Sequence, residues 1–65
     1  MDITEYITDV DLCNIYLDNY DSDELEDFVS FLNKSGYDKD KVMEVFSDYE
    51  TFYELFNIFL FIIRD

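Results

Sequence analysis

Leu25, Phe28, Val29 and Leu32 recur at i, i+3, i+4 and i+7, the spacing that gathers apolar side chains on one face of an amphipathic helix. The flanks mark its ends. Asp21 with Glu24 three residues on, or Ser22 with acids behind it, has the form of an N-terminal cap. Lys34 falls in the last turn, and Gly36 is placed for the left-handed position just beyond it. Asp38 can then cap a further helix, with Tyr37 and Val42 at the two positions of a hydrophobic staple. A sharp helix–turn–helix corner is therefore predicted near residues 35–39.

Beyond the corner, Val42, Val45, Phe46 and Tyr49 continue one stripe, followed by Phe52, Tyr53, Phe56, Phe59, Leu60 and Ile63 on the same period. Two readings fit. Either one long helix runs to Arg64, or the chain breaks near Ser47, whose spacing to Glu50 is that of a capping box. Leu55, Ile58, Phe61 and Ile62 fall outside the stripe and make the last turns apolar nearly all round, so this helix is either central in a bundle or covered by a second copy. The first segment is ambiguous. Ile3, Tyr6, Ile7, Val10, Cys13, Leu17 and Tyr20 form a helical stripe, while Leu12, Ile15 and Tyr16 fall off it; a break near Thr8 or Asp9, giving two short helices, would explain the second set. A strand over residues 11–17 would have no partner to pair with inside so short a chain. The predicted fold is all-α, a single domain of three to four helices in a small bundle.

Composition removes most chemistry. The 65 residues include no His, Trp, Pro, Ala or Gln and only one Gly. Without histidine, Ser/His/Asp and Cys/His nucleophilic systems cannot be assembled, and a single glycine does not build a phosphate-cradling loop. Cys13 is the only cysteine, which rules out an internal disulfide and leaves a structural zinc site with one thiol; it reads as a reduced, packed side chain. Residues 21–26 begin like a calcium loop but place Leu25 and Glu26 where a ligand and a glycine belong. The expectation is a non-enzymatic protein without cofactor or metal.

Charge is the strongest signal. Seventeen acids face four bases, for a formal charge of −13, yet 49% of the chain is apolar and 20% aromatic. An acidic disordered chain is poor in aromatic residues, so this one is read as a folded core beneath a negative surface. Residues 1–33 hold ten acids and no base. A solubilising surface mixes signs, with a net charge of about 2–8 for a small domain. Uncompensated repulsion destabilises a chain already marginal for its size, which points to a function that uses the field. On helices, Asp23/Asp27, Asp40/Glu44/Asp48 and Glu50/Glu54 form carboxylate rows about 5–6 Å apart, close to the ~7 Å spanned by two phosphate steps of one DNA strand. Asp18, Asp21, Asp23, Glu24, Glu26, Asp27, Asp40, Glu44 and Asp48 are the expected partner-binding acids. Tyr16, Tyr20, Tyr37 and Tyr53 are candidate aromatic anchors for an arginine-rich surface.

Gly, Ala, Pro and Arg, whose codons are GC-rich, total two residues, which suggests an AT-rich genome. In size, charge, aromatic content and lack of catalytic groups, the whole chain resembles the small acidic phage proteins that act as DNA mimics, the anti-restriction and anti-CRISPR inhibitors. The resemblance rests on class features and not on a motif. It implies binding to the nucleic-acid-binding surface of a basic host defence or replication protein, with no direct binding of nucleic acid. The alternative is a small interaction module, such as an antitoxin, an anti-sigma-type regulator or an assembly adaptor, that binds through its apolar C-terminal helix. The acidic N-terminus lacks the features of a secretory signal, and the apolar run 55–63 is far short of the ~20 residues of a membrane span, so a cytoplasmic protein off the membrane is expected. A homodimer through Leu55, Ile58, Phe61 and Ile62 is also expected, because an isologous contact covers such a patch.

Overall fold

Asp9 holds an extended backbone, and its carboxylate accepts from the N–H groups of Asp11 and Leu12 at 2.9 and 3.2 Å. This cap separates a short 3-10 turn, Ile3–Glu5, from helix α1, Val10–Asn19. Helices α2 (Ser22–Lys34), α3 (Lys39–Ser47) and α4 (Tyr49–Arg64) follow, and no strand occurs among the described residues. The structure, a computed structural model, describes residues 3–64; Met1, Asp2, Asp65 and the Arg64 side chain lie outside what it describes. The all-α bundle expected from the pattern is the observed fold.

The break at Asp9 resets the helical phase, and that corrects the first stripe. Cys13 and Tyr16 point inward with Leu12 and Tyr20 beside them, whereas Val10 and Leu17, counted as inward from a register begun at Ile3, are exposed. Ile15 stays outside as well. Helix α2 buries Leu25, Phe28, Val29 and Leu32 as its spacing requires. Asp21 stands at its N-terminus, but the carboxylate makes no capping bond, so neither form of the expected cap is realised; Asp23 and Glu24 face the positive end of the helix dipole instead.

The exit from α2 follows the local code closely. Gly36 takes φ +97°, the Tyr37 N–H donates to Leu32 C=O and the Gly36 N–H to Asn33 C=O, both near 3.0 Å, which is the paired bonding of a Schellman turn. Asp38 Oδ1 then accepts from the Lys41 N–H at 2.9 Å and opens α3. Tyr37 is half-buried against the core, and Val42 is fully buried within it.

Between α3 and α4 the broken alternative is realised, one residue later than the Ser47 signature suggests. Asp48 is extended; its Oδ1 accepts from the Glu50 N–H and its Oδ2 from the Thr51 hydroxyl, both at 3.1 Å. Ser47 turns its hydroxyl back to donate to Glu44 C=O at 2.7 Å and is unavailable as a cap. The chain thereby folds α4 back on α3 and α2. Phe28 lies at the centre, its ring 5.2–5.9 Å from those of Phe46, Phe52, Phe56 and Phe59. Tyr16 reaches in from α1, edge-on to Phe46 and Phe52, and its hydroxyl donates to Phe46 C=O at 2.7 Å.

Candidate protein-interaction surface

No charged side chain is buried among the described residues, so their negative charge is carried at the surface of this bundle. Asp18 on α1, Asp21 at the α1–α2 junction, Asp23, Glu24 and Asp27 on α2, and Asp40, Glu44 and Asp48 are all exposed, while Glu26 is half-buried. With the core face of α2 fixed by Leu25, Phe28 and Leu32, Asp23 and Asp27 occupy the opposite side as a one-turn pair. Glu24 and Glu26 diverge to the two flanks, about 160° apart. Helix α3 presents Asp40 and Glu44 outward in the same way.

The expected row Asp40/Glu44/Asp48 does not extend to its third member. Asp48 lies past the end of α3 in extended conformation, with its carboxylate committed to the first turn of α4. It meets Glu44 in another setting, where both line an open depression of about 310 Å3 between α3 and α4 together with Lys41, Tyr37 and Leu55.

Two of the four expected tyrosine anchors are half-buried and one is wholly enclosed. Tyr16 is a core residue, and burial pushes its phenol pKa upward, reinforced by Tyr49 and Asp48 nearby. Tyr20 and Tyr37 are half-buried; burial and the Tyr49 hydroxyl 3.4 Å away push Tyr20 up to about 12. Only Tyr53 is exposed, at 52%. Tyr49, assigned by its period to the buried stripe, is 36% exposed and stacks on Tyr53. Its neighbour relations carried the missed signal: Tyr49 and Tyr53 form one i, i+4 row directly beside the row Glu50 and Glu54.

The apolar end of α4 also departs from expectation in two places. Leu55 is half-buried against the core and lines the α3–α4 depression, so it belongs to the monomer's own packing. Ile63 shares the inward side with Phe52, Phe56 and Phe59 but is 58% exposed, because the last turn runs past the buried part of the bundle. Ile58, Phe61 and Ile62 are exposed as expected, Phe61 at 71%.

Among the described residues no three His, Cys, Asp or Glu side chains converge on a position able to hold a metal ion, and residues 22–26 are helical and cannot wrap one. A partly enclosed space lined by Tyr6, Leu12, Met43 and Phe46 among others has about 30 Å3, room for a single water. No described helix is long and apolar enough to cross a membrane. Comparison with protein-family models, characterised proteins and solved structures found no match to this chain.

Proposed function

We propose that this protein is a non-enzymatic inhibitor that occupies the nucleic-acid-binding surface of a basic host protein, in the manner of a DNA mimic. The observation that carries the reading is a chain of charge −13 folded as a helical scaffold in which, among the described residues, no carboxylate is withdrawn into the core. A nucleic-acid-binding groove gains affinity by neutralising phosphates with Lys and Arg, a term largely indifferent to sequence, and a shaped polyanion competes for it. The outward pairs Asp23/Asp27 and Asp40/Glu44 stand on two helices joined at the Gly36 corner and are the acids best placed to meet such a groove. The same charge repels nucleic acid itself.

The test is affinity capture from host lysate followed by competition with duplex DNA. The captured protein is expected to be released by DNA and by rising salt, and to be lost when Asp23, Asp27, Asp40 and Glu44 are together replaced by Lys. Capture that survives both DNA and the fourfold substitution rejects the mimic.

A second reading concerns the end of α4, and the exposure of Ile58, Phe61 and Ile62 favours it. Residues 55–64 contain no acid in a chain of seventeen, so this is the surface on which two copies meet without opposing carboxylates. Burying each such side chain contributes about 1.5–3 kcal/mol. Static light scattering decides the matter: a homodimer has twice the 7.9 kDa of one chain and reverts to monomer in Phe61→Glu, whereas the single-chain mass for the parent protein rejects it.

A further inference from the structure

On the outer side of α4 the row Tyr49/Tyr53 runs beside the row Glu50/Glu54, and the four side chains line an open depression of about 290 Å3. The rings are already in place. Tyr49 stacks at 18° and 5.7 Å on the buried ring of Tyr16, and Tyr53 stacks at 19° and 6.3 Å on Tyr49, so three near-parallel rings climb from core to surface. The Tyr20 hydroxyl, 3.4 Å from that of Tyr49, ties the middle ring to α1. Residues 42–63 contain no Lys or Arg, so α4 has no cation of its own before Arg64 to offer the two carboxylates.

We infer that this cleft receives an arginine side chain of the basic partner, with the guanidinium continuing the ring stack on Tyr53 and forking to Glu50 and Glu54. The inference rests on the reading of the protein as a ligand of a basic protein, and it names the side chain gripped. Charge complementarity selects a cation, and the ring stack selects among cations. A guanidinium is planar, weakly hydrated and carries five N–H donors in a fixed fork, so it stacks on an aromatic face and bonds carboxylates at once; a lysine ammonium is a compact, strongly hydrated point charge. Because the ring ladder is anchored in the core, little order has to be imposed on binding.

The probes are the blocked hexapeptides of arginine and of lysine, which carry equal charge and are drawn equally by the acids elsewhere on the surface. Titration calorimetry, with the ring-proton resonances of Tyr49 and Tyr53 followed in parallel, is expected to show the arginine peptide binding about two- to fivefold tighter. That preference should vanish in Tyr53→Ala and in Tyr53→Leu, the latter retaining apolar bulk without the ring, while lysine-peptide affinity is unchanged. Equal affinities for the two peptides in the parent protein, or a preference that persists in both variants, overturns the inference. A lower mass by light scattering in Tyr53→Ala with the peptide preference intact assigns the cleft to a second copy and overturns it too. The fourfold Lys substitution on α2 and α3 leaves Tyr53, Glu50 and Glu54 in place, so failure of the mimic reading and failure of the arginine cleft are distinguished by separate variants.

Discussion

Replacing Tyr16 by Phe removes one oxygen from the interior and keeps the ring. That oxygen donates its proton to Phe46 C=O at 2.7 Å in a fully buried setting. Phe46 lies in the last turn of α3, where carbonyls lack an N–H four residues ahead, and the Glu50 N–H that would serve in an unbroken helix donates to Asp48 instead. The substitution thus leaves a buried acceptor without a partner, at a cost of about 1–3 kcal/mol, while the ring contacts with Phe46 and Phe52 remain. For a domain this small each kcal/mol moves the midpoint by roughly 4–8 °C, so Tm should fall by about 5–20 °C. Thermal unfolding followed by far-UV circular dichroism measures it, with Tyr20→Phe as the control. The Tyr20 hydroxyl reaches the surface beside Tyr49, and its loss should stay within about 0.5 kcal/mol. A Tyr16→Phe midpoint indistinguishable from that of the control would refute the argument that this hydroxyl secures the end of α3.

Further outcomes follow from the same geometry. Alkali should destabilise the fold: Tyr20 rises from 10.0 to about 12 and Tyr16 rises also, both mainly by burial, so the folded state holds these protons more tightly than the unfolded one. The stabilisation they provide is complete below pH 10 and is lost as pH climbs toward and past 12; a Tm constant from pH 9 to pH 12 contradicts this. Asp48→Ala should cost about 0.5–2 kcal/mol in urea unfolding, and Ser47→Ala clearly less; the reverse order would place the cap on Ser47. Gly36→Ala meets no atom within 4 Å but forces a side chain to φ +97°, so a loss of about 1–2 kcal/mol is expected from backbone strain alone, and an unchanged urea midpoint contradicts it.

The helical class, the inward face of α2, the Gly36 turn and the Asp38 cap are legible in the sequence because each depends on partners within a few residues. A Schellman turn needs only a glycine and the preceding carbonyls, and an amphipathic face needs only its own period. The exposure of the described acids other than Glu26 was legible too, since an ionised carboxylate is too costly to desolvate without a partner. The rest depended on contacts distant in sequence. Ser47 and Asp48 offer the chain nearly equivalent caps, and in the fold the break is joined by Tyr16, thirty residues away, whose hydroxyl meets the carbonyl that the end of α3 leaves open. The tyrosines were ranked wrongly for a related reason. A phenol is apolar in its ring and polar at its tip, so periodicity cannot say which of Tyr16 and Tyr49 has a buried acceptor waiting for it. Tertiary structure enclosed Tyr16, left Tyr49 and Tyr53 stacked outward beside Glu50 and Glu54, and let the final turn of α4 run past the core, so that Ile63 keeps the inward phase of Phe59 yet stays largely exposed.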